Sequence, residues 1–382
     1  MSNEFTKEEL DSLKFSQNGV NVTGVPNCTL TTACFDLTRF HNKSRNLNEA
    51  ISNMKVLLSV PCYLVIHTDS ICIDLIKEIR NLDHLTRYVV TNFEDLSNFP
   101  YLDKIKSNRE KYWPTRDDRT SSESHLLCCN KFNFVLQTIH TNPFNTTKFG
   151  WIDGTNLKNN FSAICENYKD GMLLDILHNS SDKFHIQILN VTDKKYKNTE
   201  HKREYYEKYR WVVCGGFFVT GKEIGIKIMN RLNYLFVETT MLGYGHGEEM
   251  LYLEILDEFY NDIERGYSDY GQILNNYFYP RRNIEYIYKS IIKKYSDMGY
   301  YKECYDCCKK VIHCIEDLHL VDMPPIYISI LYCFYISAFY YKKEECKSIV
   351  QHIYDICSMN TDLKNYFDER KDFYEKQFSY SM

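Results

Sequence analysis

The chain lacks several things at once. No apolar stretch approaches the length of a membrane span, and the polar, charged start from Met1 to Leu13 has no apolar signal core. These two absences predict a cytoplasmic protein with no membrane span. There is no surplus of positive charge: 46 Lys and Arg stand against 51 Asp and Glu, a formal charge of −5. No basic stripe interleaves with aromatics, which argues against nucleic acid as a ligand. The sequence also lacks a P-loop, a dinucleotide-binding Gly-x-Gly-x-x-Gly and a Ser-His-Asp order.

Cysteine, by contrast, is plentiful. Fifteen is an odd number, and many sit in apolar runs, such as Cys128-Cys129 and Cys307-Cys308. Cys304-x-x-Cys307 has no second pair at zinc-site spacing. The thiols therefore read as small core residues in a reducing compartment rather than as a disulfide framework. The sequons at Asn21, Asn42, Asn145 and Asn190 are then incidental.

At 382 residues there is room for two domains, and the periodicity changes near residue 281. Before it, strand-like and helix-like runs alternate. Thr29–Phe35, Cys62–His67 and Arg87–Thr91 read as strands, and Leu47–Leu58, Ile71–Arg80 and Ser122–Thr141 as helices. Trp211–Thr220 reads as a strand interrupted by Gly215 and Gly216, where a ligand or another backbone approaches closely or the strand bulges. Such alternation predicts an α/β domain over 1–280 with a mainly parallel sheet and a ligand crevice beyond the strand carboxyl ends. After it, five helical runs predict an all-α domain over 281–382. Gly299–Cys304 and Tyr340–Cys346 look like two copies of one helix junction, loosely similar to tetratricopeptide hairpins. Stacked helix pairs suit a partner surface or a homodimer seam, and a plain helical cap would read the same way.

Two stretches carry chemistry. Lys148-Phe-Gly-Trp-Ile-Asp153 is an apolar run ending in one carboxylate, followed at once by Gly154. A strand that delivers a single acid to the lip of a sheet can hold Mg²⁺ or Mn²⁺, whose other ligands are waters and phosphates. An Asp that caps the following helix would leave the same trace. Asp36 and Asp69 fall at the ends of two further strands, so three acids point to one crevice. The second stretch is Leu242-Gly-Tyr-Gly-His-Gly-Glu-Glu249, a glycine-rich loop opening a helix with Glu248 and Glu249 in its first turn. Acids there are favoured by the helix dipole, but a carboxylate at a loop–helix junction can also serve as a general base. His246 is a candidate ligand for metal or phosphate, or a structural histidine.

Taken in order, Thr31–Asp36 with Arg39, Tyr63–Asp69, Asn130-Lys131, Asn142–Asn145, Phe149–Asp153, Gly215-Gly216 and His246-Gly-Glu248 resemble the HtrL/YibB family of glycosyltransferase-like proteins. The resemblance spans about Thr29 to Tyr260 and implies a GT-A-like sheet, a nucleotide-sugar donor, a glycan or protein acceptor, and Mn²⁺ or Mg²⁺. By position it implies that Asp153, with His246, meets the metal and that Asp36, Arg39, Asp69, Lys131, Gly215 and Gly216 bind the donor. Glu248 would be the base and Glu249 its reserve. The usual Asp-x-Asp of that fold is incomplete here, since Gly154 and Thr155 follow Asp153. A non-catalytic scaffold with a degenerate transferase domain, or a sugar-phosphate nucleotidyltransferase, is the alternative expectation.

Overall fold

The computed structural model describes residues 14–17, 20–40, 46–111, 121–155, 157, 164–165, 168–169, 171–208, 210–244, 247–317 and 324–379. The chain divides into two compact units, 1–187 with 195–265, and 188–194 with 266–382. Near the start, β1 (Lys14–Gln17) and β2 (Val20–Thr23) form an antiparallel pair.

The main sheet has seven strands. They are β3 (Cys28–Cys34), β4 (Tyr63–Thr68), β5 (Thr86–Val90), β6 (Lys148–Ile152), β7 (Phe184–Ile188), β8 (Phe217–Gly221) and β9 (Ile263–Tyr267), in the order β5-β4-β3-β6-β8-β7-β9. β5, β4, β3 and β6 run parallel, while β8 opposes both β6 and β7. The α/β architecture with a mostly parallel sheet follows from the strand–helix alternation. The antiparallel β8 does not, because periodicity carries no strand direction. The Trp211–Thr220 run is also shorter as a strand than expected: Gly215 and Gly216 form a turn that precedes β8.

Register brings the candidate acids to one edge. Cys34 of β3 pairs with Thr68 of β4, and Thr31 of β3 with Trp151 of β6. Asp36, Asp69 and Asp153, each just past its strand, thus lie at the carboxyl edge of three adjacent parallel strands, where open α/β sheets bind ligands. Because β8 runs the other way, its entry turn Gly215-Gly216 reaches the same edge, and the Asp153 N–H donates to Gly216 O at 2.9 Å.

Helices α1 (Leu47–Ser59), α2 (Cys72–Ile79), α3 (Leu102–Lys111) and α4 (Ser122–Thr141) follow in chain order. α4 begins with a reciprocal cap, Ser121 and Ser124 each accepting the other's backbone N–H at 3.0 and 2.7 Å. It ends at Asn142, whose φ of 37° is left-handed and whose side chain exchanges two bonds with the Thr146 backbone, both 3.0 Å, fixing the entry to β6. α4 lies on the sheet through Phe134, which stacks on Trp151 with ring centroids 6.3 Å apart. Gly150 is required by the β6–β8 pairing, since a Cβ there would sit 2.6 Å from Phe218 O. Arg80 is 1% exposed and ties the layer together: it donates to the carbonyls of Leu58, Val60 and Cys62. α5 (Met172–Asn179), α6 (Lys202–Tyr206), α7 (Lys222–Met241) and α8 (Glu248–Glu258) complete this unit.

The second unit is helical after Tyr267. α9 (Ile284–Ile287) passes through a π-helical stretch, Tyr288–Ile292, into α10 (Lys293–Asp297). α11 (Tyr301–Asp317), α12 (Pro324–Tyr341), α13 (Cys346–Met359), α14 (Thr361–Asp368) and α15 (Lys371–Ser379) follow. The two similar junctions meet: Tyr301 stacks on Tyr340 at 4.2 Å, and the Tyr305 hydroxyl donates to Glu345. All fifteen cysteines are free thiols and all but Cys128 are buried, as a role in packing requires. Among the described residues no helix is long and apolar enough to cross a membrane.

Candidate active site

The chemistry collects around a buried ammonium. Lys131 projects from the middle of α4 and is 1% exposed, a position that a lysine keeps only when its charge is paired. Its Nζ donates to Glu248 Oε1 at 2.9 Å and to Gly215 O at 3.0 Å, and lies 3.6 Å from Asp153 Oδ1. Three partners from three elements therefore surround one cation: the end of β6, the turn before β8 and the first residue of α8. Gly215 makes this possible. A Cβ there would approach Glu248 Oε1 and Glu249 Cγ to 3.1 Å, so the close approach that this glycine permits is that of the two acids.

Asp153 differs from Glu248 in exposure. The Glu248 side chain is nearly buried, whereas that of Asp153 is 38% exposed. Asp153 Oδ1 accepts a bond from the Trp151 indole at 2.6 Å and faces Lys131, while Oδ2 has no partner among the described residues. The pKa directions follow from this packing. Burial pushes the Glu248 carboxyl up, but the Lys131 charge and hydrogen bonds involving Glu249 and Lys131 outweigh it, leaving Glu248 below the usual carboxylate range. Burial likewise pulls Lys131 down, and the charges of Asp153 and Glu248 more than restore it, well above an ordinary lysine.

The other acids at the edge are used differently. Asp69 is 6% exposed, and both of its oxygens accept backbone N–H groups: Asp36 at 2.7 Å, Ile71 at 3.0 Å and Cys72 at 2.8 Å. It joins the ends of β3 and β4 and starts α2. Asp36 Oδ1 accepts from the Thr38 backbone at 2.9 Å and hydroxyl at 2.6 Å, a local turn. Arg39 pairs with Glu94 at 3.0 Å, both exposed, and covers the Phe40 ring.

The structure thus brings together Asp153, Lys131, Gly215, Gly216, Glu248 and the neighbouring Glu249, and groups Asp36, Asp69 and Arg39 along the same sheet edge. His246 lies outside the described residues. The two hydrogen bonds that the Lys131 ammonium donates both go to protein acceptors, Gly215 O and Glu248 Oε1. Trp151 is a member of the site that pattern reading passed over. Its place two residues before the strand-end acid, on the same side of the pleat, was the available signal.

Among the described residues no group of three or more His, Cys, Asp or Glu side chains is arranged to hold a metal ion. The charges in contact do suit a cation that brings ligands of its own. One ammonium is set against Asp153 and Glu248, which leaves an excess negative charge and one unengaged oxygen, Asp153 Oδ2. Ions such as Mg²⁺ commonly use one or two carboxylates and complete their shell with phosphates and water.

Comparison with known proteins places the first unit. The model of a family described as "Bacterial protein of unknown function (HtrL_YibB)" matches residues 26–242, more than half of the chain. No curated protein matches. Among solved structures, the apo form of mouse xyloside xylosyltransferase 1 is similar over 66% of this chain and 93% of that one, at 13% identity and a TM-score of 0.35. Core-mannan synthase A from Aspergillus fumigatus, in its Mn/GDP form, is similar over 65% of this chain and 74% of that one, at 11% identity and a TM-score of 0.37.

Proposed function

The chain belongs to the HtrL/YibB family, and we propose that it is a glycosyltransferase moving a sugar from a nucleoside-diphosphate donor to a glycan or protein acceptor. The observation that carries this reading is the meeting of Asp153 and Glu248 on one buried ammonium, at the carboxyl edge of the parallel strands. One acid has an oxygen open to a ligand, and the other opens a helix beside it. In this reading the donor lies along the edge from Asp36 and Arg39, which meet its base and ribose, to Asp153, which meets its diphosphate. Asp69 holds the two strand ends in register for that binding. A divalent cation bound through Asp153 would offset the charge gathering on the diphosphate as the sugar leaves. The Glu248–Glu249 pair takes the proton of the acceptor hydroxyl, and Lys131 keeps Glu248 ionised and in place.

The test is a thermal-shift titration. Mn²⁺ with one of the uridine, guanosine, cytidine or thymidine diphosphates, or a sugar conjugate of it, raises Tm, and Asp153→Ala abolishes the rise. A flat response to every donor would sink the proposal. A non-catalytic scaffold is favoured by one observation, the depth of Glu248, whose carboxylate is spent on an ion pair. Under that reading a partner is captured equally well by Asp153→Ala/Glu248→Ala.

A further inference from the structure

Asp153 is held unevenly. Both donors that address it are buried and both face the same oxygen. The Trp151 indole, in a residue 4% exposed, donates to Oδ1 at 2.6 Å, and the Lys131 ammonium lies 3.6 Å from that same atom. Neither donor can swing away. The Trp151 ring is stacked on Phe134, its interplanar angle 9°, and its backbone pairs with Thr31 on one side and Phe218 on the other. Lys131 is tied to Gly215 O and Glu248, and the Asp153 backbone is tied to Gly216 O. The ammonium also lies 5.4 Å from the centre of the Trp151 ring, so the two donors form one packed unit.

A carboxylate clamped this way cannot turn to present both oxygens. We infer that Trp151 is a positioning residue that leaves Asp153 Oδ2 as the one oxygen offered outward, so that a divalent cation enters this site as its complex with a nucleoside diphosphate and not alone. The inference rests on the transferase reading for its ligand, but not for the orientation of Asp153. One protein oxygen, with an ammonium close behind it, is a poor site for a free ion that demands about six oxygens. The same oxygen suffices when the diphosphate supplies further ligands.

Trp151→Phe keeps a stacking ring and deletes only the N–H donor. Retention of Mn²⁺, read by electron paramagnetic resonance, is compared for the parent chain, Trp151→Phe and Asp153→Ala, each alone and with UDP, GDP, CDP or dTDP. Without nucleotide, the parent should retain Mn²⁺ no better than Asp153→Ala. The matching nucleotide should tighten retention at least tenfold in the parent, and Trp151→Phe should lose about tenfold of that gain, as removal of a partner behind a metal ligand commonly does. A crystal structure of unliganded Trp151→Phe should show the Asp153 carboxylate turned. Mn²⁺ held equally well with and without nucleotide overturns the inference, as does a Trp151→Phe chain with Asp153 unmoved and retention unchanged. If no nucleotide promotes retention by the parent, the transferase reading falls. The crystal structure then still decides whether Trp151 orients Asp153: a turned carboxylate upholds that role and an unmoved one removes it.

Discussion

Two groups of acids stand along the same sheet edge, and they differ in what their oxygens do. Around Asp69 the carboxylate is spent on backbone N–H groups, three of them, so this acid holds chain ends together. Around Asp153 the backbone is satisfied by Gly216 O, and the carboxylate is left to side chains and to whatever arrives from outside. A strand-end Asp is therefore not one kind of residue. The two ends also differ in charge: the buried Lys131 ammonium lies 3.6 Å from Asp153, while Arg39, three residues after Asp36, is exposed and paired with Glu94.

The largest effect expected from breaking this contrast is at Lys131. Lys131→Met leaves Glu248 buried beside an apolar chain, and removal of one partner of a buried pair costs about 3–5 kcal/mol. Urea denaturation measures it, and adding Glu248→Gln should recover a large share. The pH dependence has a definite sign. Glu248 is depressed in the folded state, so its contribution is present above its unfolded value, about 4.3, and is lost as pH falls through the lower folded value. Lys131 is raised, so its contribution is complete below about 10.4 and is lost only as pH climbs through its folded value. The parent should keep the pair's contribution from about pH 5 to 9, whereas in Lys131→Met the unopposed burial raises Glu248, so the difference between the two should begin to shrink above about pH 5 and go on shrinking in stronger acid. A difference that grows in acid would contradict the pairing.

A smaller effect is expected at Asp69. Asp69→Ala removes acceptors from the Asp36, Ile71 and Cys72 N–H groups, at a cost of about 2 kcal/mol from the lost helix start and the stranded donors. Asp69→Asn, which keeps one acceptor oxygen, should recover part of this. Chemical denaturation reads both. If Asp69→Ala leaves stability intact and removes nucleotide binding instead, the two acid groups are alike after all.

Much of this was legible in the residues. The strand-end positions of Asp36, Asp69 and Asp153 follow from apolar runs that stop abruptly, and the helical runs after residue 281 from their periodicity. The division of labour was not legible, because it depends on contacts between residues far apart in the chain. Lys131 and Glu248 are 117 residues apart and meet only because α4 and α8 converge on the turn before β8. Lys131 sits in an apolar helix with no local mark of its pairing, so an outward role at a phosphate and an inward role at two acids look the same in sequence. Gly215 signals a close approach without saying of what; the structure supplies Glu248 and Glu249. Trp151 reads as one more apolar residue of β6: its spacing from Asp153 puts the two on one side of the pleat, but does not by itself turn the indole N–H to the carboxylate.

The smallest effect, and the one that sharpens the comparison most, is expected at Arg39. Its ion pair with Glu94 is exposed on both sides, and such pairs contribute about 0–1 kcal/mol, less in salt. Arg39→Ala should therefore leave the urea midpoint almost unmoved, unlike Lys131→Met. If Arg39 meets the donor, as proposed, the same variant should weaken binding of the matching nucleoside diphosphate by about tenfold, the loss of one charge-assisted contact. Isothermal titration calorimetry separates the outcomes. Intact folding with weakened binding makes Arg39 a ligand residue on a structural edge, whereas unchanged binding confines donor recognition to the Asp153 end of the sheet.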